Sequence, residues 1–312
     1  MKVSIIIPTY NRSPVLKKVV EAVLSQTYRD LEAIVIDDGS SDDTGCMIAG
    51  IGDPRLVYRR ILNSGRPATP RNVGLGMAQG ELIAFCDDDD LWAADKLRLQ
   101  VDFLERNPSY GLVCSNADGF PGEGGLEITL EGLMKVNSII ISSVLARRSA
   151  LGAAGGFDED MRLKAVEDFD LWIRVLHLSG AKAYRLPERL LHYNRETVGI
   201  GRSGSPQGRK TTYRKVIRVL TKASKLPGLE ARARAARRYQ VQSMISTLQS
   251  ARYRRTPAYL ISLWKSPCLI STKVKLSLRW AGVPIKSWGD ADFWSGQAGA
   301  GAGIPDRIMP TP

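Results

Sequence analysis

Two runs of branched apolar residues, VSIIIP at positions 3–8 and LEAIVID at positions 31–37, bracket a segment whose apolar residues recur at helical spacing. Runs without polar alternation are strands buried on both faces, and a parallel sheet covered by helices is what buries them. Between the runs, Val15, Leu16, Val19, Val20, Val23 and Leu24 share one helical stripe, with Ser13 expected as the N-cap and Pro14 at the first helical position. The chain therefore opens with a βαβ unit, which commits it to an α/β sheet.

The same grammar continues. A short strand LVYRRI starts at Leu56, a helix is expected in RNVGLGMAQG, and ELIAFC from Glu81 is another buried strand. A helix in AADKLRLQVDFLERN, a strand GLVCSNA and the apolar run NSIIISSVLARR follow. In VEDFDLWIRVLHLSG, the residues Phe169, Ile173 and Leu176 fall on one helical stripe, and AKAYRLPERLLHYN supplies short strands.

Ligands of open α/β sheets bind beyond the carboxyl ends of the strands. Three loops fall there: PTYNR, DDGS and the run DDDD, Asp87 to Asp90. Four adjacent like charges repel unless something positive joins them. If strand geometry persists, Asp87 and Asp89 point the same way and can share one divalent cation, for which hard carboxylate oxygens suit Mg²⁺ or Mn²⁺. The competing interpretation is a solvated acidic turn in which Asp90 caps the next helix. DDGS offers carboxylates for a nucleobase or ribose, and Arg71 with Asn72 opens a helix where an arginine meets an oxygen. The acids of EDFDLW suit either chemistry or the first turn of a helix. In GGFDED the paired glycines permit positive φ, and Phe157 is expected to plug the core beneath the site, with Asp158 or Glu159 near an acceptor.

Four cysteines without a C-x-x-C pair and two histidines, His177 and His192, supply neither a zinc cage nor a disulfide framework. No apolar run reaches the length of a signal peptide core or a membrane span, so a reducing, cytoplasmic location is expected. The formal charge of +12 is uneven: residues 197–289 hold twenty Lys and Arg against Glu230 alone. That span has three interpretations: helices facing water while Val216 and Leu220 pack inward, adsorption to the cytoplasmic face of an anionic membrane, or nucleic acid, for which no base-reading motif is present. The expected division is a catalytic domain at 1–204, a basic helical extension at 205–290 and a disordered Gly/Ala-rich tail at 291–312. The segment GRSGSPQGRK would be the hinge.

The blocks VSIIIPTYNR, AIVIDDGSSDDT, RNVGLGMAQGELIAFCDDDD, GGFDED and EDFDLWIR, in that order, resemble the inverting glycosyltransferases of family 2 with the GT-A fold. The resemblance covers about residues 1–200. It implies a Rossmann-like mixed, mostly parallel sheet flanked by helices, followed here by the helical extension. It also implies a nucleotide-sugar pocket lined by Pro8, Thr9, Tyr10, Asp38, Asn63 and Arg71, with Asp88 near the ribose or sugar. Asp87 and Asp89 become the Asp-x-Asp pair that holds Mn²⁺ or Mg²⁺ on the diphosphate. Asp168 matches the catalytic base. Beside it, Glu167 is expected either to hold Asp168 in place or to bind the acceptor, and Trp172 is expected at the acceptor. The donor implied is a UDP-sugar and the acceptor a glycan or a lipid-linked sugar. Two alternatives stay open: a sugar nucleotidyltransferase, although PTYNRSPV lacks a glycine-rich loop, and a non-catalytic module binding sugar nucleotides or glycans.

Overall fold

The opening βαβ unit folds as expected. Strands β1 (Val3–Thr9) and β2 (Leu31–Asp37) are buried along their whole length and pair in parallel, with Thr9 opposite Asp37. Helix α1 (Ser13–Leu24) buries Leu16, Val19, Val20 and Val23 in the core that holds Val3 and Ile5. Ser13 is not its N-cap. Arg12 holds that position, and the Ser13 N–H is satisfied across the fold by Asp42 Oδ2 at 3.1 Å.

The computed structural model describes residues 1–118, 124–192 and 206–249. The chain divides into two units, Met1–Ser246 and Thr247–Pro312, and nearly all described residues belong to the first. After β2 come α2 (Thr44–Ala49), β3 (Leu56–Arg60), α3 (Ala68–Met77), β4 (Leu82–Phe85), β5 (Leu91–Trp92), α4 (Lys96–Arg106) and β6 (Tyr110–Ala117). The chain continues through β7 (Leu126–Ile128), α5 (Leu130–Lys135), β8 (Val144–Arg147), α6 (Arg148–Ala154), α7 (Glu167–Leu178) and β9 (Lys182–His192) to α8 (Pro206–Ala223) and α9 (Glu230–Gln249). The strands form one sheet in the order β3-β2-β1-β4-β8-β6-β9-β5, with β7 also on β9.

Pairing is parallel from β3 to β4, whereas β8 runs antiparallel between β4 and β6. The sheet is thus mixed, and its parallel portion is the N-terminal half. Alternate residues feed two helix layers: Ile6 and Ile34 point to the side of α3, α6, α7 and α8, while Ile5 and Val35 face α1 and α4. Helix α3 lies unusually close to β1, because a Cβ on Gly74 would fall 2.5 Å from Ile6 Cγ2. That contact seats Arg71, one turn earlier, behind the end of β4.

Two expectations change, and the competing solvated-turn interpretation loses its helix cap. Asp90 does not cap α4; its N–H closes the turn on the Asp87 carbonyl at 3.2 Å, and β5 intervenes before Asp95 takes the cap position. Residues 206–210, expected within a hinge, are the first turns of α8. The segment AKAYRLPERLLH forms one long strand with register shifts against β6 rather than several short ones. Val219, Leu220, Leu229, Ala233 and Ala236 of the basic region are buried in the core that holds Phe169 and Trp172. Residues 201–205 of the hinge, residues 250–290 of the basic extension and the tail 291–312 lie outside the described residues.

Candidate active site

The carboxyl ends of β1, β2 and β3 stand side by side and carry the residues expected around a nucleotide. Pro8 and Thr9 are buried at the end of β1, and Tyr10 emerges beyond them with 49% of its surface exposed. Asn11 ties this loop to the next: its N–H donates to Ser40 Oγ at 2.9 Å, and its Oδ1 accepts from the Ser41 N–H at 2.7 Å. Asp38 is buried and both its oxygens are occupied, by the Ser64 N–H at 2.8 Å and the Ser64 hydroxyl at 3.0 Å. It therefore braces the loop after β3, on which Asn63 is exposed. Gly39, at φ +82°, is required here because a Cβ would fall 2.8 Å from the Asn63 nitrogen. Leu62 beside it is 93% exposed, an apolar surface that no sequence pattern singled out.

The aspartate run follows β4 directly. Its repulsion is offset by two arginines, and only one of them was expected at the site. Asp87 Oδ1 accepts from Arg71 Nη2 at 2.7 Å, and Asp89 Oδ2 accepts from Arg12 Nη1 at 2.7 Å. Asp88 accepts from Thr9 Oγ1 at 2.9 Å and lies 3.7 Å from Arg12. Burial pushes the Asp88 carboxyl up to about 6, against the pull of Arg12 and Thr9. The Asp87 N–H is held by Ser142 Oγ at 3.0 Å, which fixes the turn to the segment before β8.

Across Arg71 from the aspartate turn, the first turn of α7 carries Glu167 and Asp168. Arg71, itself buried, reaches both sides: Nη1 meets Glu167 Oε1 at 2.7 Å while Nη2 holds Asp87. Its guanidinium also lies over the Phe157 ring at 5.5 Å, and Phe157 packs edge-on against Phe85 as the expected plug. Arg71 Nε and Glu167 Oε2 are sealed from solvent without a hydrogen-bond partner. Asp168 is half-buried; Oδ2 accepts from Asn137 Nδ2 at 3.1 Å and Oδ1 from the Phe169 N–H at 2.8 Å. Burial, with Glu167 adding to it, pushes its carboxyl up to about 7, although the Phe169 N–H, Asn137 and Arg71 pull it down.

Arg71 thus links the aspartate turn, Glu167 and the start of α7, and Thr9 belongs to the same network through Asp88. One expected role needs correction. The indole of Trp172 has no exposed surface and sits 6.2 Å from Phe85, so it packs the core and offers nothing to an acceptor. Glu167 is buried with one oxygen on Arg71, which favours the bracing alternative over the acceptor contact. Arg12, Asn137 and Ser142 were missed. Arg12 was visible in the block PTYNR, whereas Asn137 and Ser142 sit in an apolar run with nothing local to mark them.

Among the described residues, no three His, Cys, Asp or Glu side chains gather as a metal cage. The donor set nonetheless fits Mg²⁺ or Mn²⁺. Such ions are commonly held by one or two carboxylates plus substrate phosphates and water, and the Asp87 and Asp89 side chains are 32% and 19% exposed, hence reachable.

Residues 4–147 match the pattern of the family described as Glycosyl transferase family 2. A glycosyltransferase of Rickettsia bellii, itself described as uncharacterized, is 36% identical over 182 residues, 56% of this chain. The chain spans only 26% of that protein's length and 30% of a related one from Rickettsia conorii. An Escherichia coli protein described as UDP-Glc:alpha-D-GlcNAc-diphosphoundecaprenol beta-1,3-glucosyltransferase WfaP is 34% identical over 188 residues, 58% of this chain and 72% of that protein. Among solved structures, residues 1–349 of TarS from S. aureus align at TM-score 0.65 and 19% identity, covering 91% of this chain and 83% of that one. The mannosyltransferase PcManGT from Pyrobaculum calidifontis, in complex with GDP-Man and Mn²⁺, aligns at TM-score 0.61 and 21% identity over 90% of this chain and 80% of its own. These two likenesses concern the fold.

Proposed function

The chain belongs to glycosyl transferase family 2, and from that premise we propose that it is a metal-dependent, inverting glycosyltransferase. It moves a sugar from a nucleotide-diphosphate sugar, a UDP-sugar in the first instance, to a hydroxyl of a glycan or lipid-linked acceptor. The observation that carries this proposal is Arg71, which ties the aspartate turn after β4 to the acidic start of α7. A donor-binding side and a candidate base thereby belong to one rigid site. A UDP-glucose donor and a diphosphoundecaprenol-linked acceptor in the description of the E. coli relative support the substrate classes.

In this mechanism the nucleotide lies across the ends of β1, β2 and β3, over Thr9, Tyr10, Asp38 and Asn63, and Asp88 approaches the ribose or sugar. Asp87 and Asp89 would hold Mn²⁺ or Mg²⁺, which when bound supplies Lewis-acid neutralisation of the leaving diphosphate. Arg12 and Arg71 hold both carboxylates in orientation before substrate arrives. Asp168 accepts the proton of the acceptor hydroxyl as that oxygen attacks the anomeric carbon from the face opposite the leaving group. Asn137 holds the carboxylate in place for that transfer.

Thermal stability with UDP and a panel of nucleotide sugars tests the donor half. Mn²⁺ together with the right nucleotide at one hundred times its dissociation constant should stabilise the fold by about 2.7 kcal/mol. Asp89→Asn should abolish that gain, and an equal gain in EDTA overturns the metal assignment.

We also assign exposed basic residues in and beside α9, among them Lys225, Arg232 and Arg234, to an anionic membrane surface, where each contributes about 1 kcal/mol. Among the described residues no helix is long and apolar enough to cross a membrane, so binding would be from the side. Salt-sensitive co-sedimentation with phosphatidylglycerol vesicles is the expected result, and equal partitioning onto neutral vesicles overturns it.

A further inference from the structure

Helix α8 lies outside every block that carries the family resemblance, yet its cations grip the segment that carries Asp168. Lys222 places its ammonium 2.7 Å from Asp158 Oδ2 and 2.8 Å from Asp170 Oδ2. Asp170 is buried on α7 and also accepts from Arg174 Nε at 2.8 Å. Arg174 in turn donates to the Ala154 carbonyl at the end of α6. Two carboxylates and two cations balance at this node, where α6, the GGFDED loop, α7 and α8 meet.

Lys215, Arg218 and Lys222 fall at i, i+3 and i+7, one face of a helix. Lys215 donates to the Lys164 carbonyl, and Arg218 reaches the Arg162 carbonyl at 3.4 Å. One face of α8 therefore lies along residues 158–170 and holds both ends of that segment through a single ammonium. The segment needs holding. Ala165, three residues before Asp168, has φ +71°, a left-handed conformation that strains a residue with a Cβ and persists only where its surroundings impose it. Glu159, inside the same segment, is bonded by Thr69 and Asn72 of α3 at 2.7 and 2.8 Å. The clamp thus sets Asp168 relative to α3 and the aspartate turn.

We propose that Lys222 is a positioning residue for sugar transfer: by bridging Asp158 and Asp170 it fixes the 158–170 segment, so that α8 is a working part of the enzyme. This rests on the transfer activity and on the role of Asp168 proposed above. Asp168 contacts the acceptor hydroxyl, and Lys222 acts only through the segment that carries it.

The test compares Lys222→Met, Lys222→Arg and Asp158→Asn in the full chain. Misplacement of a reacting group by about 1 Å costs on the order of 100-fold, so Lys222→Met should lower kcat by between about 10- and 100-fold. Asp158→Asn, which removes one end of the bridge, should lower kcat in the same direction. The KM for the nucleotide sugar and the dissociation constant of UDP should stay within about twofold of wild type, because the donor contacts sit beyond the ends of β1, β2, β3 and β4, outside the 158–170 segment. Lys222→Arg, which keeps the charge, should recover most of the rate. Hydrogen exchange should quicken in peptides spanning 157–171 and not in β1 or β2. A Lys222→Met enzyme with wild-type kcat, or with donor KM and kcat damaged together, overturns the proposal. Should the wild-type chain transfer no sugar from any donor, the transfer reading itself falls and takes the positioning role with it. A quickened exchange in that case shows the clamp to be architectural.

Discussion

Asp168→Asn is expected to lower sugar transfer by about 10²- to 10⁴-fold, the usual contribution of a general base, while UDP binding stays near wild type. The two bonds use different oxygens, so the asparagine keeps the one from the Phe169 N–H through its amide oxygen and turns its NH2 toward Asn137, whose own amide must flip to accept from it. What is lost is the lone pair basic enough to take a proton. Nucleotide titration by calorimetry and a radiolabelled transfer assay separate the two. A parallel loss of donor affinity and rate moves Asp168 from chemistry to architecture.

The pH dependence of the same pair of proteins supplies an independent check. Burial and then Glu167 raise the Asp168 carboxyl to about 7. A base acts only when ionised, so the wild-type rate should climb as pH rises through about 7, and the residual rate of the Asp168→Asn variant should lack that limb. The stability consequence has the opposite direction. A carboxyl raised above its unfolded value of about 3.9 binds its proton more tightly when folded, so stability is fully present below about 3.9 and declines as pH rises toward about 7. At pH 8 the Asp168→Asn protein, neutral at that position, should unfold at the same temperature as wild type or higher. A fall in its midpoint there would contradict the assignment of burial as the dominant influence.

The strand ends were legible because the strands were. VSIIIP and LEAIVID declare themselves by unbroken branched residues, and any strand of a parallel sheet delivers its carboxyl end to the same edge. That placed Thr9, Asp38 and Asp87 on one edge from the sequence alone. What was not legible depends on partners remote in sequence. Glu167 and Arg71 are 96 residues apart, and nothing local to either distinguishes a surface acid from one bonded to a buried guanidinium. The aspartate run illustrates this: its repulsion demanded a positive partner, and local reasoning supplied a cation where the fold also supplies Arg12 and Arg71.

Helix α7 shows a second limit. Its stripe of Phe169, Ile173 and Leu176 was readable as one buried face, but Leu171, Trp172 and Val175 are buried as well. The helix lies between the sheet and α8, so two faces are covered, and a periodicity argument assumes that one faces water. Trp172 was misplaced for that reason. Asp170 can be buried only because Arg174 and Lys222 neutralise it, and Lys222 lies 52 residues away.

Arg71→Met is expected to damage the fold as severely as it damages catalysis. A buried arginine between two carboxylates is costly to remove, because Glu167 stays sealed in the core with its charge and without its partner. Breaking such a pair from one side typically destabilises by about 3–5 kcal/mol, and a domain of this size loses roughly 2–4 °C per kcal/mol. Lysine should not rescue it, since one ammonium lacks the planar fork that meets Glu167 and Asp87 on separate nitrogens. Adding Glu167→Gln to Arg71→Met removes the stranded charge, so the double variant should be more stable than Arg71→Met alone, a non-additivity that a double-mutant cycle reads directly. Its donor affinity should remain low, because Asp87 still lacks the guanidinium that orients it. If Arg71→Met unfolds within about 1 kcal/mol of wild type, a typical effect for an ordinary substitution, then Arg71 is not the strut that joins the two halves of the site, and the unity of donor side and base must rest on something else.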